Sequence, residues 1–178
     1  MTQNENNSEL SEWVRLAQDG DTQAFERVFH HTQALARKIA YTILPKDLVE
    51  DAIQESFILV YRKLKQLKEP EAFAGWLSRL VLHTSYRLAS KNPKQDQMPS
   101  EISAKDSEKD QVLDSLVLRQ ALSRLPQKDR DILILRELLG LSYEEVAFAL
   151  KISLGTVRSR LHSARKKLAQ RLTLGQTH

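Results

Sequence analysis

The stretch from Leu141 to Leu168 constrains the fold of this chain most, because local chemistry dictates two helices joined by a tight turn within it. Ser142 and Glu145 are spaced as in a capping box, where each side chain bonds the backbone N–H of the other residue at a helix start. The buried side of this short first helix is predicted to consist of Val146, Ala147 and Leu150. Lys151 to Ser153 then form the turn, and Ser153 is the expected N-cap of the second helix.

The second helix has one apolar face and one basic face. Spacings of three and four residues place its apolar side chains on one stripe toward the core, formed by Val157, Leu161, Ala164, Leu168 and Leu172. The opposite face and its flanks carry Arg158, Ser159, His162, Ser163, Arg165 and Lys166. No acidic residue follows Lys151. Donors for base edges beside cations for phosphates suit the major groove of DNA, so the stretch is interpreted as a helix-turn-helix.

The alternative is that this face is only a solvated basic surface, as most charge runs are. Solvation requires neither a capped supporting helix nor a three-residue turn, and both coincide here with the basic helix. The DNA-binding interpretation is therefore favoured.

Composition limits the remaining possibilities. With 178 residues, of which 41% are hydrophobic, the chain can form one or two small domains with buried cores. A net charge of only +4 means that the basic character is local. Because the chain has no cysteine, disulfides, thiolate catalysis and cysteine zinc sites are excluded, and no cofactor or metal is expected. The sequence has no basic-then-apolar secretory signal and no apolar run of about 20 residues, so a cytoplasmic protein without direct membrane insertion is predicted.

Nearly every other segment has helical periodicity, so the fold is predicted to be all-α, with two small helical domains joined by a flexible linker. In the first half, helices are expected over about 11–19, from Asp21 to Pro45, from Asp47 to about Leu67 and from Glu71 to about Ser90. Their inward side chains are predicted to be Phe25, Val28, Phe29, Thr32, Ala36, Ile39, Ile43, Ile53, Phe57, Val60, Leu64, Leu67, Phe73, Leu77, Leu80 and Thr84.

Two outward faces in this half are unusual. The third helix is predicted to expose Asp51, Gln54, Glu55, Ile58 and Arg62, and an isoleucine among acids and amides is a weak sign of a protein interface, since singly exposed apolar residues are common. The fourth helix is predicted to expose Arg79, Leu82, His83 and Tyr86, which offer cations and rings for stacking bases. The neighbouring Trp76 is expected to pack into the core.

Residues 91–110 contain two prolines, mixed charges and almost no apolar side chains, which is typical of a linker. Fully extended, this segment could span roughly 70 Å, so the flanking domains could occupy separate sites. The predicted boundaries are 8–90 for the first domain, 91–111 for the linker and 112–173 for the second domain. The second domain is expected to begin with helices Val112–Arg124 and Gln127–Leu139, separated at Leu125-Pro126, before Gly140 as a cap.

With these elements in place, the chain resembles the bacterial RNA polymerase sigma factors of the extracytoplasmic-function (ECF) type, which have two folded domains. In the first half, LAQDGDTQAFERVF and DLVEDAIQESFILVYRKL are similar to that family's opening and polymerase-binding segments, and FAGWLSRLVLHTSYRL resembles its promoter-melting helix. In the second half, the whole stretch from Leu125 to Leu168 is similar to the family's reader of the upstream promoter element. The resemblance covers nearly the full length, and both segments in this order are strongly specific.

The resemblance implies a function: an alternative sigma factor that binds core RNA polymerase and directs promoter-specific initiation without catalysis of its own. It implies docking on the beta-prime coiled coil through Asp51, Gln54, Glu55 and Ile58, and a further contact with the beta flap. It implies opening of the minus-ten element through Arg79, His83 and Tyr86. It implies reading of the minus-thirty-five element through Arg158, Ser159, His162 and Ser163, with Arg160, Arg165 and Lys166 at phosphates. An anti-sigma protein is also implied.

Three positions depart from the family pattern. Where its promoter-melting helix commonly has an Asn and then an Asp, this chain has His83 and Arg87, so an altered minus-ten preference is expected. His162 stands where many members have a bulky or aromatic residue, which leaves the minus-thirty-five preference open.

Two other classes of function remain as alternatives. A stand-alone helix-turn-helix regulator would have no need of the Asp51 to Ile58 face, and co-purification with core polymerase distinguishes it. An enzyme is poorly supported, because adjacent His30 and His31 diverge by about 100° on a helix and no carboxylate pair, nucleophile elbow or glycine-rich phosphate loop is present.

Overall fold

The computed structural model describes residues 3–92 and 117–175, and within these two ranges every regular element is a helix. In chain order they are α1 (Gln3–Gln18), α2 (Thr22–Ile43), α3 (Lys46–Lys63), α4 (Phe73–Lys91), α5 (described over 117–123), α6 (Gln127–Leu133), α7 (Tyr143–Leu150) and α8 (Leu154–Gly175). Short 3₁₀ turns at Leu64–Gln66 and Pro70–Ala72 join α3 to α4. The all-α prediction is confirmed. Most of the predicted linker and the start of the Val112–Arg124 helix lie outside the described residues.

Helices α1 to α4 pack around one apolar core. Helix α2 lies against α1, α3 and α4, and α3 lies against α4. The fully enclosed side chains at the centre include Val14, Val28, Ile39, Val60, Phe73 and Leu77. Burying an aliphatic or aromatic side chain of this size is worth about 1.5–3 kcal/mol, so these contacts stabilise the first domain.

The ends of α1 and α2 follow from local chemistry. Gly20 takes a left-handed φ of +102°, which glycine adopts at little cost, and it separates the two helices. Asp21 caps α2 as predicted, because its carboxylate accepts from the backbone N–H of Gln23 at 2.8 Å and of Ala24 at 3.0 Å. The predicted start of α1 near Ser11 is wrong, since the helix begins at Gln3. That first segment is polar and has no apolar periodicity, so the pattern could not reveal it.

Most predicted inward positions of the first domain are confirmed, with shifts on α2 and α4. Phe25, Phe29 and Ile43 are only partly buried, because the buried stripe of α2 runs instead through Ala24, Val28, Thr32, Ala36, Ile39 and Ala40. Leu80 is likewise only partly buried. Trp76 is partly buried and packs on the core, with its ring centroid 5.9 Å from that of Phe73, as expected.

In the second domain, α6 begins after Pro126, as predicted. It ends at Leu133, however, so the prediction of one regular α-helix as far as Leu139 is wrong. Residues Ile134–Leu138 form a π-helical turn, which holds one extra residue per turn. Apolar periodicity does not distinguish such a turn from α-helix. Arg136 closes the following loop by donating to the backbone oxygen of Leu141 at 2.7 Å, and Gly140 has the left-handed φ of +71° expected of a cap.

The two domains contact each other through α4 and α7. The two backbones approach closely at Gly75 of α4, where a β-carbon would lie 2.8 Å from the backbone oxygen of Glu145. Helix α4 is therefore packed on one side against α2 and α3 and on another side against α7. In the described part of the chain, no helix is long and apolar enough to cross a membrane.

Candidate nucleic-acid interface

The helix-turn-helix has the local geometry that its sequence predicts. The Ser142 backbone N–H donates to Glu145 Oε2 at 2.7 Å, and the Glu145 N–H donates to Ser142 Oγ at 3.1 Å, which completes the capping box. Lys151 turns the chain with a left-handed φ of 53°. Ser153 Oγ accepts from the Thr156 N–H at 3.1 Å and so caps α8. One prediction needs correction: Ala149 takes the buried position of α7, and Ala147 and Leu150 are only partly covered.

Helix α8 separates its two faces as expected. Val157, Leu161 and Ala164 are buried, and Leu168 packs at the edge of the core. Six of the seven side chains predicted to face DNA are exposed, and Arg160 is half-buried. The exposed six are Arg158, Ser159, His162, Ser163, Arg165 and Lys166. A continuous polar and cationic surface thus lies opposite the anchored stripe, where it can enter a groove while the stripe holds the helix in place.

Two cations of α8 are held by acids of the same domain. Arg165 donates through Nε at 3.0 Å and Nη2 at 2.6 Å to Glu137 Oε1, and this hydrogen bond raises the pKa of Arg165. Lys167 Nζ lies 2.6 Å from Asp129 Oδ2, whose side chain is nearly buried. Neither acid was identified from the sequence, because both partners lie 28 or more positions away in the chain. The positive surface of α8 is therefore divided between paired and exposed cations.

The candidate residues on α4 do not share one environment. Arg79 and His83 are exposed, but Tyr86 is partly buried against the second domain and its hydroxyl donates to Asp131 Oδ1 at 2.5 Å. The guanidinium of Arg130 lies over the Tyr86 ring, 5.7 Å from its centroid. Burial raises the pKa of both the Tyr86 hydroxyl and the Asp131 carboxyl. This polar contact joins the two domains, and nothing in the local sequence signals it.

The prediction that Leu82 faces outward is wrong, because its side chain is only 5% exposed. Gly75, Leu82 and Tyr86 lie on one stripe of α4, at spacings of seven and four residues. Gly75 meets Glu145 and Tyr86 meets Asp131, so the second domain lies against this stripe on both sides of the leucine. Helical periodicity finds one buried face of a helix and misses a second face that a distant domain covers.

The outward face of α3 is as predicted, with one addition. Asp51, Gln54 and Ile58 are exposed, and the isoleucine side chain keeps 45% of its surface in solvent. Glu55 is half-buried because it forms an ion pair with Arg87 of α4. The partner of Glu55 is thus Arg87, one of the positions at which this chain departs from the family pattern.

Aromatic side chains extend this face into an open groove of about 910 Å³. Gln54 and Ile58 line it together with Phe25, Phe29 and Tyr61, and the last residue is 66% exposed. The rings of Phe25 and Tyr61 pack edge to face, with their centroids 5.2 Å apart. The sequence assigned both phenylalanines to the core, and their incomplete burial on α2 explains why they were missed. An exposed aromatic groove beside acids and amides is typical of a protein-binding surface.

No three His, Asp or Glu side chains in residues 3–92 and 117–175 are grouped so that they could hold a metal ion. The exposed groups of α8, α4 and α3 are cations, hydroxyls, amides, carboxylates and an imidazole, which can form ion pairs and hydrogen bonds with a partner. Their chemistry fits recognition of DNA and of a protein partner.

Comparison with known proteins shows which families share this arrangement. Residues 28–94 match the family profile described as Sigma-70 region 2, and residues 115–168 match Sigma-70, region 4. The ECF RNA polymerase sigma-E factor of Salmonella typhimurium strain LT2 is 33% identical over 171 residues, covering 87% of this chain and 90% of the relative. The factor of the same name from Haemophilus influenzae is 28% identical, covering 89% and 93% respectively.

Solved structures share the fold. CnrH, solved in complex with the cytosolic domain of CnrY, is 23% identical and superposes with a TM-score of 0.73 over 93% of this chain and 98% of that one. The sigma factor RpoE from Bartonella quintana, solved in complex with the anti-sigma factor NepR, is 21% identical with a TM-score of 0.63, covering 85% and 98%.

Proposed function

This chain belongs to the ECF sigma factors of the sigma-70 family, and we propose that it directs initiation through three surfaces placed on α3, α4 and α8. As an alternative sigma factor, it binds core RNA polymerase and directs promoter-specific transcription. Core polymerase performs the chemistry, and the proposed role of this chain is recognition without catalysis. The proposed compartment is the cytoplasm, where promoter DNA and polymerase meet.

The minus-thirty-five element is assigned to α8. Arg158, Ser159, His162 and Ser163 are assigned to base edges, because they are exposed on the face opposite the buried stripe of a capped helix-turn-helix. Arg160, Arg165 and Lys166 are assigned to phosphates. The observation that carries the proposal is this exposed, acid-free face of α8 within the range that matches sigma-70 region 4.

The minus-ten element is assigned to α4 through Arg79, His83 and Tyr86. The exposed cation and imidazole support this, since both can donate hydrogen bonds to a splayed single strand while the tyrosine ring stacks on a base. His83 in place of the usual amide offers a different hydrogen-bond pattern, so the preferred minus-ten sequence is expected to differ from that of other members.

Core polymerase is assigned to the α3 face, through Asp51, Gln54, Glu55 and Ile58, and its beta-prime coiled coil is the proposed docking partner. The aromatic groove beside Ile58 supports this assignment, because it adds apolar area to a face that is otherwise acidic and amidic. The beta flap is the proposed partner of the second domain. An anti-sigma protein is the proposed regulator.

Run-off transcription with reconstituted core polymerase on a randomised promoter library tests the function. We expect initiation from a narrow set of promoters that share two short elements at fixed spacing. A matched reaction contains the same chain with Arg158, His162 and Ser163 changed to alanine, and it should lose the upstream consensus while keeping core binding. Sequence-specific DNA binding without core, together with no initiation, would instead establish a stand-alone regulator.

A further inference from the structure

The connection between α3 and α4, residues 64–72, is anchored by side chains of α1. It consists largely of two 3₁₀ turns, Leu64–Gln66 and Pro70–Ala72, and neither turn has a side-chain cap at its start. The N-cap position of α4, Ala72, also provides no side-chain cap. Because 3₁₀ turns have poorer hydrogen-bond geometry than α-helix, a connection built from two of them depends on contacts from elsewhere for a fixed shape.

Gln18, the last residue of α1, supplies such a contact. Its side-chain amide donates to the backbone oxygen of Leu64 at 2.8 Å and to that of Leu67 at 2.7 Å. An amide nitrogen carries two N–H donors, so one side chain can hold both ends of the first turn. The two leucines are themselves buried, at 3% and 5% exposure. The turn is therefore fixed by packing on the inside and by hydrogen bonds from α1.

A second contact from α1 changes the charge of the connection. Arg15, one turn before the end of α1, forms an ion pair with Glu71. The other charged side chains of the connection are Lys65, Lys68 and Glu69, which are exposed and form no ion pair with another described residue. The unpaired charge of the connection is therefore positive, and the connection leads directly into α4.

We propose that Gln18 is a positioning residue for promoter opening. It holds the backbone of the connection so that Lys65 and Lys68 contact phosphates of the strand that α4 separates. Arg79 and His83 offer donors to the bases, and phosphate contacts made just before α4 begins fix the position of the strand along the helix. A solvated lysine gains nothing from an anchored backbone, whereas a lysine at a defined phosphate does. This inference rests on the proposed role of α4, and hydrogen exchange in the free chain tests its structural part independently.

Hydrogen exchange followed by mass spectrometry reports on the anchor in the full-length chain without DNA. Gln18→Met keeps the length of the side chain and removes the donors. The connection should then exchange faster by on the order of twofold to tenfold, the range that one hydrogen bond supplies, and this includes the Leu67 N–H, which donates to the Leu64 oxygen at 3.1 Å. Gln23→Met, at an exposed glutamine of α2, is the matched control and should leave this exchange unchanged. Wild-type exchange in Gln18→Met overturns the proposal.

Holoenzyme assembled from core polymerase and the full chain tests the contact with DNA. The probe is a forked DNA, duplex through the upstream element and single-stranded across the minus-ten element of a promoter chosen from the randomised library. Lys65→Gln combined with Lys68→Gln should weaken binding and reduce the slope of log K against log salt by about 1.4, since each phosphate contact on a single strand contributes about 0.7. This double variant leaves the Gln18 contacts in place, so it tests the phosphate contacts even where Gln18→Met destabilises the fold. An unchanged slope overturns the proposal.

A double-mutant cycle separates positioning from a general loss of stability. Gln18→Met alone should lower the affinity for the forked DNA by on the order of twofold to tenfold. Added to the variant that lacks Lys65 and Lys68, it should have little further effect, because the groups that it positions are gone. An equal loss in both backgrounds would show that the glutamine only stabilises the domain, and would overturn its positioning role.

Duplex DNA that contains the upstream element alone is the control probe for all of these variants. Its affinity should remain at the wild-type value, since the upstream element is assigned to α8. Holoenzyme that initiates from no promoter would overturn the proposed function and the DNA contact with it, whereas the exchange result would still decide whether Gln18 anchors the connection.

Discussion

Single side chains on α8 divide into those placed for bases and those placed for phosphates. Arg158 and Lys166 are both exposed, and neither forms an ion pair with another described residue, so they are a matched pair of cations on one helix. Arg158→Ala should cost about 1–3 kcal/mol at one base pair of the upstream element, as loss of a bidentate base contact does. Competition binding against a panel of single-base promoter variants measures this.

Lys166→Ala is the control for that variant. It should weaken binding to all sequences nearly equally and reduce the slope of log K against log salt by about 0.9, since one phosphate contact is lost. If Arg158→Ala weakened all promoters equally, its assignment to a base edge would be wrong.

Glu137 is expected to moderate the charge of the DNA-facing helix through Arg165. Its carboxylate holds Nε and Nη2 of that arginine. Glu137→Gln keeps the shape and removes the negative charge, so binding to any DNA should tighten and its salt slope should steepen by up to about 0.9. Arg165→Ala is the reference background, in which the same change should produce a smaller gain. Weaker binding by Glu137→Gln would show that the acid serves mainly to orient Arg165.

Helix ends and turns could be predicted where the chemistry is local. Ser142 caps α7 by accepting from the Glu145 N–H, and Ser153 caps α8 by accepting from the Thr156 N–H, three residues on in each case. The sequence alone identifies the Ser142–Glu145 pair and Ser153 as a cap. Pairs such as Glu55 with Arg87 were not predictable, because they join separate helices. The π turn at Ile134–Leu138 was missed for a different reason, since its composition is that of an ordinary amphipathic helix. Local rules thus predicted the helix-turn-helix and the exposed faces of α3 and α8, whereas on α4 tertiary contacts bury Leu82 and partly bury Tyr86.

Helices α3 and α4 are joined at the docking face by the Glu55–Arg87 ion pair, which permits a charge-reversal test. Glu55→Arg should release the chain from core polymerase, because it reverses a charge on the proposed interface. It also places two arginines together, at a small cost in stability, since half-exposed ion pairs contribute about 0–1 kcal/mol. Adding Arg87→Glu restores the pair with the opposite polarity and leaves the interface charge reversed.

The measurements for this pair are co-purification with core polymerase and the midpoint of thermal unfolding. The double variant should unfold at the wild-type midpoint and still fail to bind core. If it bound core normally, Glu55 would act by holding Arg87 rather than by contacting polymerase. Because both readouts omit promoter DNA, the position of Arg87 on α4, the proposed minus-ten helix, does not affect them.

The relation between the two domains was the least predictable feature of the molecule. The sequence between them is polar and long enough to separate them, so independent placement was a reasonable expectation. The contacts between the described domains include a glycine that permits close packing and a tyrosine that reaches Asp131, and neither residue is unusual within an isolated helix. Their significance depends on a surface more than forty positions away in the chain.

The contact between the domains should respond to pH through Asp131. Burial raises the pKa of this carboxyl above its ordinary value of 3.8, and the groups facing it are the Tyr86 hydroxyl, whose pKa is also raised, and the permanently charged Arg130. Of these three groups, the carboxyl is therefore the first to lose its proton as the pH rises. The Asp131 carboxyl binds its proton more tightly when the domains are closed than when they are open. Protonation therefore favours closure, which is strongest below the ordinary pKa of 3.8 and weakens as the pH rises through the raised pKa. Distances between spin labels on cysteines introduced at exposed Lys68 and Gln170, one in each domain, should shift toward the closed form as the pH is lowered, and Asp131→Asn should remove the dependence. A shift in the opposite direction would mean that the carboxylate, and not the carboxylic acid, is the form that holds the domains together.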